Sequence, residues 1–387
     1  MAFSSELLTE FLKTERKTPF YFYDLQAIEK RAQLFLSLLP ENAHVHYAMK
    51  ANAHPSILKI FRELDFGVDV VSAGEMKLAL NSGFRPHDII FSGVGKTRDE
   101  IAAALEVGID QLNVESLPEL ARISEIAREK GREARVALRM NPDIQVDTHP
   151  YIRTGFRDNK FGLDFSMIAD ALKIIKDSGG KVKLQGLTLH IGSQIREVEP
   201  FQKAIQKTLD LRRELEAAGF HLTTFDVGGG LGIDYLKPDI SVDEEILKKY
   251  AAAIAGAFAK SAVDRIYLEP GRFLVARFGY LVTEVQYVKE TPYKKFVIVD
   301  AGMNNLIRPA LYEAHHRIEL TRKSTAAGDI YDVVGPICES SDVLGYERVL
   351  PNDVRSGERL VVCDAGAYGA VMASDYNLRE KAVEYTR

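Results

Sequence analysis

The sequence predicts an α/β plus all-β chain: a (β/α)8 TIM-type barrel with a second, C-terminal β domain. Eight short β-branched runs alternate with helical patterns, the signature of βαβ units around a parallel sheet. After about Gly279 that alternation stops, and strand-like runs separated by turns take over. The count decides the first architecture, because eight strands close a barrel whereas five or six would suit an open doubly wound sheet.

In chain order the barrel strands are expected at His44–Met49, Val68–Val71, Asp88–Phe91, Gln111–Val114, Arg135–Met140, Leu184–His190, Thr223–Val227 and Arg265–Glu269. Amphipathic stretches such as Leu117–Lys130 and Pro200–Ala218 lie between them, with Gly131 and Gly219 placed as C-caps. Tyr280–Lys289, Phe296–Asp300, Arg317–Leu320, Asp329–Val334 and Arg359–Asp364 read as strands of a β-sandwich or Greek-key barrel. The aromatic run Phe20–Tyr23 is a further strand, and periodicity alone leaves its domain open. The expected domains are 24–275 for the barrel and 1–23 with 276–387 for the β domain.

The 387 residues carry 50 Lys+Arg against 55 Asp+Glu, a net charge of -5, with 46% hydrophobic and 27% charged residues. That composition is too apolar for disorder and, without a basic run, argues against nucleic-acid or anionic-membrane partners. Met1–Lys17 holds Glu6, Glu10, Lys13, Glu15 and Arg16 and no signal-peptide core, and Ala251–Ala259 is too short to span a bilayer. The 2 cysteines, Cys338 and Cys363, imply no disulfide framework. A cytoplasmic, soluble protein is expected.

A barrel of this type builds its active site at the C-terminal strand ends. Those ends carry Lys50, Asp69, Ser72, Ser92, Asn113, Glu115, Arg139, Asn141, His190, Ser193, Gly228–Gly230, Glu269 and Arg272. Any one is equally well a solvated strand end; their convergence on one rim is what points to chemistry. In His46-Tyr47-Ala48-Met49-Lys50, residues 46, 48 and 50 share a face by period two. A lysine there, among apolar neighbours, is desolvated and nucleophilic, suited to a Schiff base; the plainer alternative is a side chain reaching to the rim. The cluster Gly228-Gly229-Gly230-Leu231-Gly232 lets backbone N–H groups approach a phosphate, in the loop where such barrels often hold one, and Gly271 follows the next strand.

Other motifs carry no weight. Gly93-Val94-Gly95-Lys96-Thr97 lacks the first glycine of a P-loop, and the glycine run lacks the third glycine of a dinucleotide fingerprint. His44 and His46 sit too early in their strand for a rim metal, and His315-His316 lies in the β domain, so no metal is expected. Lys50, the glycine cradle and Glu269 do form one chemical set: an amine for an aldehyde, an anchor for phosphate and a carboxylate for a pyridine nitrogen. That is what pyridoxal phosphate requires.

On these residues the chain resembles the barrel-type (fold type III) pyridoxal-phosphate decarboxylases of basic amino acids. Tyr47–Asn52, Asp69–Glu75, His190–Gln194, Asp226–Gly232 and Glu269–Arg272 carry the likeness. Within that group it is similar to the diaminopimelate decarboxylases, through His149–Gly155, Lys160–Gly162, Asp300–Met303, Arg308–Tyr312, Gly335–Ser340 and Asp364–Gly369. The resemblance implies that Lys50 tethers pyridoxal 5'-phosphate, His190 stacks on its ring and Glu269 pairs with its nitrogen. Asp69, Gly228, Gly230 and Arg272 join the cofactor's surroundings, and Ser193, Gly229, Gly271 and Tyr368 its phosphate region. It further implies that Arg272, Arg308 and Tyr312, beside Tyr368, grip the far carboxylate of meso-diaminopimelate, that Glu339 takes the far ammonium, and that Cys338 returns a proton to Cα. Family members are homodimers in which the Cys338–Glu339 loop enters the partner's site. The match departs at Asn377-Leu378-Arg379-Glu380, which lacks the family's Arg-Pro pair; this weakens the expectation of a last β-domain strand and of part of the dimer surface.

The rivals are a sister decarboxylase of ornithine, arginine, lysine or a carboxylated polyamine, a racemase on the same barrel, and a cofactor-free regulatory paralogue. Arg308 and Tyr312 speak against the first, Glu269 in place of an arginine against the second, and Lys50 with Glu269 against the third.

Overall fold

The computed structural model describes residues 6–144, 159–237, 239–259 and 261–387. The chain divides into two compact units, one of Ala32–Gly232 with Ile240–Gly271, the other of Met1–Arg31, Ile233–Asp239 and Arg272–Arg387. The described strands are β1 (Phe20–Tyr23), β2 (Ala43–Ala48), β3 (Gly67–Val70), β4 (Ile89–Phe91), β5 (Gln111–Val114), β6 (Ala134–Met140), β7 (Val182–Leu189), β8 (Thr224–Asp226), β9 (Arg265–Leu268), β10 (Gly279–Glu290), β11 (Lys295–Val299), β12 (Ile318–Leu320), β13 (Gly328–Val334), β14 (Val343–Pro351), β15 (Arg359–Val362) and β16 (Val383–Thr386).

Strands β2 to β9 form a closed parallel barrel, with β9 returning to pair with β2. The helices between them start and stop on local chemistry. Thr97 and Glu100 form a reciprocal capping box ahead of Arg98–Val107, and Gly108 ends that helix in the left-handed conformation at φ 76. Ser116 caps Leu117–Lys130, which Gly131 terminates at φ 65. Ser72, a candidate rim residue, is spent the same way: its hydroxyl accepts from the Glu75 N–H at 3.1 Å as the cap of Ala73–Asn81.

The barrel interior is polar beneath the rim. Gln185 Nε2 donates to Gln111 Oε1 at 2.9 Å, Thr224 Oγ1 donates to the same oxygen at 3.0 Å, and Gln111 Nε2 donates to Asn113 Oδ1 at 2.7 Å. Each buried amide is thereby satisfied, so the network orders the strands rather than weakening them.

In the other unit β10 is the organising strand. Its first half pairs antiparallel with β1 and β15, its second half with β11, and a register shift between Val285 and Tyr287 marks the change of partners. The sheet runs β12-β15-β10-β11-β13-β14. Phe20–Tyr23, left open by periodicity, belongs here: Phe20 and Phe22 pack with Leu8, Tyr280, Val282, Val361 and Cys363 in one cluster. Strand β14 is absent from the sequence expectation because its middle is exposed, with Glu347 at φ 52, so neither burial nor alternation announces it. The weakened expectation for the C-terminal segment is corrected: β16 forms and pairs parallel with β1, Phe20 opposite Val383. Among the described residues no helix is long and apolar enough to cross a membrane.

Gly186 in β7 tests the interior packing. A Cβ there would overlap the Thr224 hydroxyl and lie 2.6 Å from the Thr224 carbonyl oxygen. Gly186→Ala is expected to cost about 1–3 kcal/mol in urea unfolding; an unchanged midpoint would show that β7 and β8 can separate at no cost.

Candidate active site

A cavity of about 190 Å³ opens within the barrel unit, lined among others by Lys50, Ser92, Asn113, Arg139, His190 and Glu269. Lys50 lies not on β2 itself but in the tight turn Met49–Ala51 that follows it. Its ammonium pairs with the Asp69 carboxylate, and Asp69 in β3 is wholly buried. This corrects the picture of an amine among apolar neighbours: with 31% of its side chain exposed, Lys50 is held by a charge and not by desolvation. The other Asp69 oxygen, Oδ1, is buried without a hydrogen-bond partner.

The cavity floor is acidic. Glu269 follows β9, and its Oε1 accepts from Asn113 Nδ2 at 3.2 Å and Ser92 Oγ at 3.5 Å. The same Asn113 nitrogen donates to Asp226 Oδ2 at 3.3 Å. Burial, then the charges of Asp226 and Asp69, push the Glu269 carboxyl well above the usual carboxylate range, and burial raises Asp226 as well. Burial and the mutual repulsion of two carboxylates bridged by one amide favour the protonated form of Glu269.

His190 follows β7. Its Nδ1 accepts from the Gly229 N–H at 3.1 Å, and burial, then the charges of Arg139 and Lys50, hold the ring well below the usual imidazole range. A neutral ring with the proton on Nε2 results. Arg139 is fixed in turn: Nη1 donates to Glu115 at 2.7 Å, and Phe161 lies 4.8 Å beneath the guanidinium.

The glycine run has a further reason beside the one its sequence suggests. A Cβ at Gly228 would overlap the Leu189 carbonyl oxygen, one at Gly229 that of Glu269 and one at Gly230 that of Gly192. Close approach of protein backbone therefore demands glycine before any ligand arrives. Two of the N–H groups are also committed, Gly228 to Asp226 Oδ1 at 2.8 Å and Gly229 to His190. Gly271 packs against Ala51 and Ala48, which a Cβ would meet at 2.9 and 3.1 Å. Lys96 of the rejected P-loop lookalike is structural, donating to Glu119 at 2.7 Å and to the Asn113 carbonyl at 2.6 Å.

The second unit gathers its own predicted residues around one aromatic ring. Arg272 Nη1 donates to the Tyr235 hydroxyl at 2.9 Å, and its guanidinium lies 4.7 Å from the Tyr368 ring centre. Arg308 stacks 4.7 Å from the Tyr235 ring. Burial pushes the Tyr235 phenol up, but the two guanidinium charges outweigh it and leave the group below its ordinary value. Tyr312 closes the short helix Arg308–Tyr312, whose second residue is Pro309. Cys338 carries an exposed thiol, and its N–H donates to Asn377 Oδ1 at 3.2 Å. Glu339 beside it accepts from the Tyr376 hydroxyl at 2.5 Å.

Sequence reasoning missed Asp226 as a partner of Glu269, and it missed Tyr235 altogether. His316 entered only as a rejected metal ligand, although residues 316, 318 and 320 alternate as buried positions, a signal that was present. The motif His149–Gly155 lies outside the described residues.

A barrel that gathers an amine, a neutral imidazole and a buried acid floor at its C-terminal rim defines the class of barrel-type pyridoxal-dependent decarboxylases. The family profile described as "Pyridoxal-dependent decarboxylase, pyridoxal binding domain" matches residues 25–276. The diaminopimelate decarboxylase of Aquifex aeolicus is 41% identical over 95% of this chain and 86% of its own, and that of Bacteroides thetaiotaomicron is 43% identical over 96% and 95%. The crystal structure of diaminopimelate decarboxylase from Helicobacter pylori complexed with L-lysine superposes with a TM-score of 0.91 at 41% identity, covering 98% of this chain and 93% of that one. This chain belongs to the diaminopimelate decarboxylase family.

The proton on the acid floor has a measurable sign. Because the folded Glu269 carboxyl is raised above its ordinary 4.5, its contribution to stability is complete below that pH and is lost as the pH rises. In cofactor-free protein, the stability of Glu269→Gln relative to the parent should therefore grow between pH 5 and 8, by at most about 1.4 kcal/mol per pH unit. Parallel urea-unfolding curves across that range would refute the raised Glu269 carboxyl.

Proposed function

We propose that this chain uses pyridoxal 5'-phosphate to decarboxylate meso-2,6-diaminopimelate at its D centre, giving L-lysine and carbon dioxide. The observation that carries the reading is the coexistence, in one cavity, of the Lys50 amine and the buried Glu269 carboxyl, which Asn113 bridges to Asp226. The residues present fit the cofactor. Asp69 Oδ1 is a buried acceptor in want of a donor. Three buried carboxylates, Asp69, Asp226 and Glu269, face one lysine, so a cationic ring nitrogen would balance charge that is otherwise costly.

When bound, the cofactor supplies an aldehyde for the Lys50 amine and a protonated ring that draws off the electron pair left at Cα. The residues of the chain have narrower tasks. Asp69 holds the Lys50 ammonium in place. His190, neutral and fixed through Gly229, offers a flat uncharged face. Glu269 keeps a proton at its carboxyl for the ring nitrogen. With the N–H groups of Gly228 and Gly229 committed, the phosphate donors we assign are Gly230, Ser193 and Gly271, together with Tyr368.

For the substrate we assign the far carboxylate to Arg272, Arg308 and Tyr312, the far ammonium to Glu339, and proton return at Cα to the exposed Cys338 thiol. Arg308 is 5% exposed and its Nε has no hydrogen-bond partner, a buried donor that a carboxylate would satisfy. Remote binding of that end orients the reacting one. Cys338 and Glu339 are exposed in the single chain, which supports a homodimer in which their loop serves a partner's site.

Purified protein loaded with pyridoxal phosphate should show a visible absorption band that borohydride abolishes, and it should release carbon dioxide from meso-diaminopimelate. Lys50→Ala should lose the band and at least about a thousandfold in turnover. Faster turnover of ornithine than of meso-diaminopimelate would make the chain a sister decarboxylase instead.

A further inference from the structure

We infer that His316 is a positioning residue for substrate choice: it fixes the Arg308 guanidinium in the orientation that receives the far carboxylate. The inference rests on the role proposed above for Arg308.

His316 is wholly buried and stands between two partners of fixed polarity. Arg308 Nη1 lies 2.8 Å from His316 Nε2, and His316 Nδ1 lies 2.9 Å from the Cys363 carbonyl oxygen. A guanidinium can only donate and a carbonyl can only accept. The one arrangement that satisfies both is a neutral imidazole with its proton on Nδ1, donating to Cys363 and accepting from Arg308. Burial, then the Arg308 charge, hold His316 well below the usual imidazole range, which agrees with that form.

The bond ties Arg308 to β15, since Cys363 directly follows Val362 and its own N–H donates to the Arg317 carbonyl at 2.8 Å. From the other side Tyr235 sets the remaining freedom, its ring 5.5 Å from that of His316 and 4.7 Å from the Arg308 guanidinium. One guanidinium nitrogen is thus fixed to His316 and one face to Tyr235, which leaves Nε for a ligand. His316 needs no contact with substrate to act. It lowers the ordering cost of Arg308 before binding.

The test separates binding from chemistry. The product L-lysine keeps the carboxylate of the unreacted centre, so its affinity reports the same grip without turnover. In holoenzyme, His316→Leu should raise both the KM for meso-diaminopimelate and the Kd for L-lysine, by calorimetry, about tenfold or more, with kcat within about threefold. His316→Gln, whose amide offers both a donor and an acceptor, should recover most of the loss. If His316→Leu lowers kcat or the folded fraction and leaves KM and Kd unchanged, the histidine is merely structural and the inference is wrong. If His316→Leu does not fold, His316→Gln decides alone: affinity within threefold of the parent supports the inference, and a loss as large as that of Arg308→Ala overturns it. A parent enzyme inactive on meso-diaminopimelate would instead sink the proposed function, and no change in lysine affinity on Arg308→Ala would sink the role given to that arginine.

Discussion

Everything at the barrel rim depends on how charge is balanced in an enclosed space. Lys50 and Glu269 line one cavity, and two further buried acids stand behind them, Asp69 paired with Lys50 and Asp226 bridged to Glu269 through Asn113. In low dielectric such a set cannot be fully ionised. One acid pairs with the lysine, and burial raises the carboxyls of the other two. The polar layer below, from Gln185 through Gln111 to Asn113, is what lets those carboxylates stay buried, because it delivers an amide nitrogen to both Asp226 and Glu269. Burying this many acids together is costly in itself.

The second unit inverts the sign. There two guanidinium groups are gathered against a single tyrosine, with a neutral histidine behind one of them. Arg308, held by an aromatic face and a neutral imidazole, keeps its attraction for an anion. The two units thus hold charge of opposite sign, buried acids in the barrel unit and buried arginines in the other.

Backbone geometry makes both sites possible at little side-chain expense. At Gly228, Gly229 and Gly230 the loops after β7, β8 and β9 approach so closely that a methyl group would overlap a neighbouring carbonyl. The resulting contacts bring the Gly229 N–H to His190 and the Gly228 N–H to Asp226. The glycine run thus positions the His190 and Asp226 side chains.

The barrel, its helix-ending glycines and most polar rim residues were legible in the amino-acid order, because period-two runs and glycine stops are local signals. Lys50, Asp69, His190 and Glu269 could be named as strand-end polar groups for the same reason. Strand β14 could not, since an exposed edge lacks the burial that creates a pattern, and the parallel docking of β16 on β1 joins segments at opposite ends of the chain. Nor could the ion pair that replaces desolvation at Lys50, the raised carboxyls of Asp226 and Glu269, or Tyr235 between two arginines. Each of these joins residues distant in the chain, and the electrostatics of a group is decided by which charges the fold sets within a few ångströms of it. Residue types and their order determined which chemistry this protein is equipped for; only the tertiary structure decided which acid holds a proton, which N–H groups are already spent and which arginine is aimed.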